Sequence, residues 1–192
     1  VTMRLDYPVK GAPNNGIFDD ISLVATGPVY ADDVFVKPYP VTRGELEIDV
    51  TLAAAGPQEV QAKVLNRIEP WRDSAVGAAV LPETTVAVDA GEAKTVTLTT
   101  PTEGLEYWWH WEPKLYNLVT EVMVDGELVD RLVTRFGVRE WEIRGNQFYL
   151  NGIRRHLRAD LTYSGAREGT DLDAVVDEWK ENGMNVFRLR FQ

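Results

Sequence analysis

Apolar and polar residues alternate with a period of two through the first hundred positions. In Glu45-Leu46-Glu47-Ile48-Asp49-Val50-Thr51-Leu52, residues Leu46, Ile48, Val50 and Leu52 fall on one face and polar groups on the other. That is the pattern of an antiparallel strand with one face buried. It recurs at Val34/Val36, Val60/Ala62/Val64 and Val96/Leu98, with breakers between: Gly27-Pro28, Pro38 to Pro40, Gly56-Pro57, Pro82, Gly91 and Pro101. Short strands at this spacing predict a β-sandwich.

Further on, Leu115–Val124 and Glu127–Thr134 flank Asp125-Gly126, a residue pair suited to a type I′ hairpin turn. Gly145-Asn146 and Asn151-Gly152 mark two more turns around Gln147-Phe148-Tyr149-Leu150. Only after residue 170 does the period become helical, with Leu172, Val175, Val176 and Trp179 at i, i+3, i+4 and i+7. Thr170 with Asp173 predicts the N-terminal cap of that helix, and Gly183 its C-terminal stop. Period two then returns at Phe187, Leu189 and Phe191. The chain is therefore expected to be mainly β to about Gly137, and then to open a β-α-β unit of the kind that starts a (β/α)₈ barrel. Such a barrel takes roughly 250 residues, and only about 55 lie in this stretch.

With 192 residues, 44% apolar and 10% aromatic, the chain can bury an ordinary globular core. Its formal charge of −10 argues against a nucleic-acid partner, since phosphate binding needs clustered Lys and Arg. Cysteine is absent, which removes disulfides, thiolate nucleophiles and Cys-ligated metals. No apolar run approaches the ~20 residues of a membrane helix. The start, Val1-Thr2-Met3-Arg4-Leu5, has no signal-peptide pattern and reads as an internal cut, so the compartment, cytoplasmic or exported, stays open.

Four segments resemble glycoside hydrolase family two, the β-galactosidases, β-glucuronidases and β-mannosidases. Gly16-Ile17-Phe18-Asp19-Asp20-Ile21-Ser22-Leu23 is similar to the Gly-Ile-Trp-Asp-x-Val-x-Leu close of that family's jelly-roll domain. Ala31-Asp32-Asp33-Val34-Phe35-Val36-Lys37-Pro38 resembles the beginning of its immunoglobulin-like sandwich. Trp111-Glu112-Pro113-Lys114-Leu115-Tyr116 and Arg135-Phe136-Gly137-Val138-Arg139 are similar to its Trp-x-Pro-x-x-Pro-x-Leu-Tyr and Phe-Gly-x-Arg landmarks. Phe148-Tyr149-Leu150-Asn151-Gly152 and Lys180-x-x-Gly183-Met184-Asn185-Val186-Phe187-Arg188 resemble the barrel's first hairpin and its Lys-x-x-Gly-x-Asn-x-x-Arg motif. The resemblance implies three parts: a jelly-roll tail at 1–19, an immunoglobulin-like sandwich at 20–137 and the N-terminal fragment of a TIM-barrel catalytic domain at 138–192. It also implies a retaining O-glycosyl hydrolase acting on a carbohydrate substrate, without a cofactor. Where galactosidases of the family carry Arg-Gly-Val-Asn-Arg-His-Glu and Thr-Ser-His, this chain has Arg158-Ala159-Asp160-Leu161-Thr162-Tyr163-Ser164 and Leu189-Arg190-Phe191. The resemblance therefore leaves the sugar open.

Retaining glycosidases use two carboxylates roughly 5–5.5 Å apart. In the resembled family both are glutamates on later barrel strands, so no catalytic residue is expected in this chain. Asp19/Asp20, Asp32/Asp33 and Glu45/Glu47 are expected on solvated surface. Arg188, at an early strand end and matching the family's Arg, is the leading candidate for contact with substrate or with a catalytic carboxylate, and Arg158 and Asp160 are further candidates. His110 and His156 lie too far apart in sequence to suggest a metal site. Tyr107, Trp108, Trp109 and Trp111 form an aromatic run, expected to pack in the core and at a domain seam, or alternatively to stack on sugar rings. The same run supports a rival reading of the chain as an autonomous carbohydrate-binding or structural immunoglobulin-like module. Exposed strand edges would favour homo-oligomers.

Overall fold

The computed structural model describes residues 26–72, 75–160 and 171–187. They fall into two compact units, one spanning Ala25–His156 and the other holding the described residues from 157 onward.

The first unit is built on two antiparallel sheets. In one, β1 (Val29–Tyr39), β2 (Glu45–Ala54) and β6 (Ala93–Pro101) lie in the order β1-β2-β6. The other follows the order β4-β3-β7-β8, with β5 also paired to β3: β3 (Val60–Pro70), β4 (Ala79–Val80), β5 (Thr84–Val88), β7 (Tyr116–Val124) and β8 (Glu127–Phe136). The alternation in β2 is realised: Leu46, Ile48, Val50 and Leu52 are fully buried, and the residues between them are only half-buried. They join Ala62, Val64, Ile68, Val86, Val88, Leu118 and Val122 of the larger sheet in one core. Burial of each Val, Leu or Ile side chain among them contributes about 1.5–3 kcal/mol relative to exposure.

Pro38 lies inside β1, opposite Leu46, although prolines read as breakers in the sequence. β1 is a terminal strand in its sheet's order, where a missing N–H is tolerated. A bulge between Ala31 and Asp33 shifts the β1–β2 register, and the Ala31 N–H donates to Asp130 Oδ2 at 2.8 Å. Asp130 sits on β8, so this bond links the two sheets.

Asp125 and Gly126 both have positive φ (51° and 84°), as the predicted type I′ turn requires. The later turn signals also hold. β9 (Trp141–Arg144), β10 (Gln147–Leu150) and β11 (Ile153–Arg155) form an antiparallel meander, with Asn151 and Gly152 in left-handed conformations between Leu150 and Ile153.

In the second unit, β12 (Ala159–Asp160) pairs in parallel with β13 (Val186–Phe187), and α1 (Leu172–Glu181) lies between them in sequence. Parallel neighbours need a crossover connection, which the helix-bearing stretch supplies. The helix cap is Asp171 rather than Thr170, which lies outside the described residues. Asp171 Oδ1 accepts from the N–H groups of Asp173 and Ala174, each at 3.1 Å. A carboxylate there satisfies two orphan donors and also suits the positive end of the helix dipole. At the other end Gly183 N donates to Lys180 O and Met184 N to Trp179 O, both at 2.9 Å, with Gly183 at φ 74°. That is a Schellman stop, as the glycine predicted.

Candidate functional site

The three site residues chosen from sequence belong to the β12–α1–β13 stretch. Arg158, just before β12, is exposed; its N–H donates to Asn185 Oδ1 at 2.8 Å, and its carbonyl accepts from the N–H of Asn185 (3.1 Å) and Val186 (3.2 Å). Asn185 thus holds the two parallel strands together at their starts. Gly183 has the same neighbour, since a Cβ there would stand 3.0 Å from Arg158 Nη1. Asp160 pairs with Phe187 across the ladder, while Arg188 lies outside the described residues. Sequence reading quoted Asn185 as part of a motif but missed its role. The signal was present, because an Asn just before a strand can reach a neighbouring backbone N–H.

Of the carboxylate pairs read as surface, Asp32 and Asp33 are exposed; Asp19 and Asp20 lie outside the described residues. Glu45 and Glu47 are half-buried on β2. Glu47 accepts from Lys37 Nζ at 3.1 Å and Arg43 Nη1 at 2.9 Å, and Lys37 also bonds Asp49. Those bonds hold the Glu47 and Asp49 carboxyls below, and the Lys37 ammonium above, their usual ranges. Ion pairs this open to solvent contribute little to stability.

Among the described residues Glu140 is the one buried carboxylate, 7% exposed. Its Oε2 accepts the N–H groups of Val41 (2.9 Å) and Thr42 (3.1 Å), which lie in the β1–β2 turn. Burial pushes its carboxyl up, but bonds from the Thr42 side chain and from the Val41 and Thr42 backbone outweigh that, and it ends below the usual range. A general acid in a glycosidase needs the opposite shift. Glu140 is therefore a structural anion. Its own N–H donates to Asn151 Oδ1 (2.8 Å), Asn151 N donates to Glu140 O (2.8 Å), and Asn151 Nδ2 donates to Trp108 O (3.0 Å). This network ties the β9–β10–β11 meander to the sandwich. Glu140 was not singled out from sequence, because partners 98 and 99 residues away leave no local pattern, and Asn151 was legible only as a turn residue.

The aromatic run divides. Tyr107, Trp108 and Trp109 are half-buried, as packing residues should be, and the Tyr107 hydroxyl donates to Pro40 O at 3.3 Å. Trp111 stands outside the sandwich core and is 56% exposed. Its ring lies on Trp109, with centroids 5.0 Å apart and planes at 14°, and His110 meets it edge-on at 4.6 Å. The Arg155 guanidinium stands 4.6 Å from the Trp111 centroid and 5.2 Å from that of Trp109. Partial burial and then the Arg155 charge lower the His110 pKa, favouring the neutral ring. Arg139 stacks likewise on Trp108 at 4.6 Å, and Gly137 is required beside that indole, since a Cβ would come within 2.9 Å of it.

Among the described residues no group of three or more His, Asp or Glu stands close enough to hold a metal ion. No described helix is long and apolar enough to cross a membrane.

Residues 29–139 match the family model of glycosyl hydrolases family 2. A β-galactosidase of Streptococcus thermophilus is 29% identical over 144 residues, which cover 72% of this chain and 13% of that protein. A β-galacturonidase from Eisenbergiella tayi superposes with a TM-score of 0.64 at 17% identity, over 87% of this chain and 29% of that one. For β-glucuronidase 2 of Bacteroides uniformis the TM-score is 0.63 at 19% identity, over 86% of this chain and 22% of that one. At these identities the two structures show a shared fold. The chain spans less than a third of the length of each of these relatives.

Proposed function

The chain belongs to glycosyl hydrolases family 2, and we propose that it serves as the non-catalytic front portion of a retaining O-glycosyl hydrolase. In this reading the sandwich positions a barrel and a jelly-roll domain, and the hydrolytic glutamate pair is supplied by later barrel strands. The parallel β12–α1–β13 unit is the opening of that barrel. Asp160 and Arg188, on the C-terminal side of β12 and β13, are the residues that approach the carbohydrate on the face where barrel sites form, and Arg158, which precedes β12, supports the start of that strand pair.

One observation carries the reading. Trp141, Ile143, Phe148 and Ile153 share one face of the meander with buried Leu150, yet they are 46%, 70%, 41% and 50% exposed. Contiguous bare apolar surface marks an interaction site. Its occupant in this reading is the remainder of the same polypeptide, since the relatives are more than three times as long as the part this chain matches. The chemistry of Glu140 agrees, because the buried carboxylate present is held as an anion and engaged in structure.

The test is the coding sequence downstream of Gln192. Codons for an Asn-Glu pair at a later strand end, with a second strand-end Glu beyond it, are the expected result. A stop codon directly after Gln192 would overturn the reading.

A further inference from the structure

We propose that the buried Asn66–Thr120 pair fixes the register of β3 against β7, selecting one pairing of the two central strands of the larger sheet. The pair lies inside the sandwich core, so its action holds whatever surrounds that unit and is independent of the function proposed above.

Three observations carry the proposal. The first is placement. Asn66 and Thr120 are 2% and 0% exposed and stand directly opposite each other in the ladder, with Thr120 Oγ1 donating to Asn66 Oδ1 at 2.7 Å. Their neighbours on the core face, Val64 opposite Val122 and Ile68 opposite Leu118, are buried and apolar. The second is cost. Asn66 Nδ2 is buried and has no hydrogen-bond partner among the described residues, whereas an apolar pair would leave no such donor. What a buried polar pair does supply is a penalty on every pairing that breaks it. The third is connection. The Asp125-Gly126 turn sets β7 against β8, but residues 71–115 separate β3 from β7, so no hairpin sets theirs.

A slip of one residue turns every core side chain to the other face, and burial alone rejects it. A slip of two residues keeps the faces. When each β3 residue pairs two positions further along β7, Leu65 falls opposite Met123 and Arg67 opposite Glu121, with which it already pairs at 3.0 Å. The outer face therefore tolerates that slip. On the core face Asn66 then meets Val122 and Thr120 meets Ile68, and both polar side chains lose their partner. The opposite slip sets Asn66 against Leu118 and Thr120 against Val64, with the same penalty.

Disulfide trapping is the test, and the chain has no cysteine of its own to interfere. Leu65→Cys with Glu121→Cys stands opposed in the native register. Leu65→Cys with Met123→Cys is diagonal there, at about 7–8 Å too far for an unstrained disulfide, and becomes opposed only after the slip. Each pair is refolded in a glutathione buffer, with and without Asn66→Val/Thr120→Val. In the parent background the native pair should close and the slipped pair should stay open. With the two valines the slipped disulfide should rise at least about tenfold. The cysteine-free valine chain should melt no lower than the parent. Thr120→Val alone leaves Asn66 unpaired in every register, so it should melt lower and still raise the slipped disulfide. That single variant decides the matter should the valine pair fail to fold. A slipped yield unchanged by these substitutions would overturn the proposal and leave the register to apolar packing. So would a slipped disulfide that already closes in the parent, or a valine chain that melts well below it.

Discussion

Replacing Tyr116 by Ala is expected to destabilise the sandwich by about 3–5 kcal/mol, the range for deleting a large buried aromatic side chain. Tyr116 opens β7, is fully buried and packs its ring against Phe136 with centroids 5.9 Å apart. Its hydroxyl donates to Val76 O at 2.6 Å and accepts from Glu106 N at 2.8 Å. The side chain thus fills the core and satisfies two backbone groups that belong to loops rather than to ladders. Tyr116→Phe separates these roles. It keeps the ring and should cost roughly 1–2 kcal/mol, from the two groups left unpaired. Burial raises the Tyr116 hydroxyl above its usual value, so its stabilisation is full below the unfolded pKa and is lost as pH rises through the folded one. Urea denaturation of parent and both variants, repeated toward high pH, checks the sizes and the sign. Tyr116→Phe should flatten the alkaline loss.

Glu140→Ala is expected to cost roughly 2–3 kcal/mol, because two backbone donors lose a charged acceptor. Glu140→Gln retains an acceptor and should cost about half as much. The acid limb provides an independent readout. The folded carboxyl lies below its unfolded value, so its stabilisation is present above the unfolded pKa and is lost as pH falls through the folded one. The parent should therefore lose more stability than Glu140→Gln on acidification. Parallel curves would mean that the Val41 and Thr42 bonds do not favour the anion.

These two side chains also show what the sequence could and could not reveal. Strands with one buried face were legible because their side-chain period is fixed by backbone geometry, as in Leu46 to Leu52. The turn at Asp125-Gly126 was legible because few residue pairs accept two positive φ angles. β4 and β5, at two and five residues, are too short to establish a period. The helix was found, but its cap was placed one residue early, since Thr170 and Asp171 can both cap and only geometry decides. The Glu140–Asn151–Trp108 network and the Arg155–Trp111 stack were out of reach, because they join residues that only the finished fold brings together. Of the site residues, Arg158 gained a partner, Asn185, that the motif contained without explaining.

The most direct measurement for a non-catalytic role is hydrolysis of p-nitrophenyl β-galactoside, β-glucuronide and β-mannoside by the folded 192-residue chain, with its β-rich circular dichroism as the control for folding. A supporting module should release no nitrophenol above the buffer rate from any of the three. Turnover that disappears in Glu140→Gln or Asp160→Asn, with folding retained, would contradict it and place the catalytic carboxylates inside this chain.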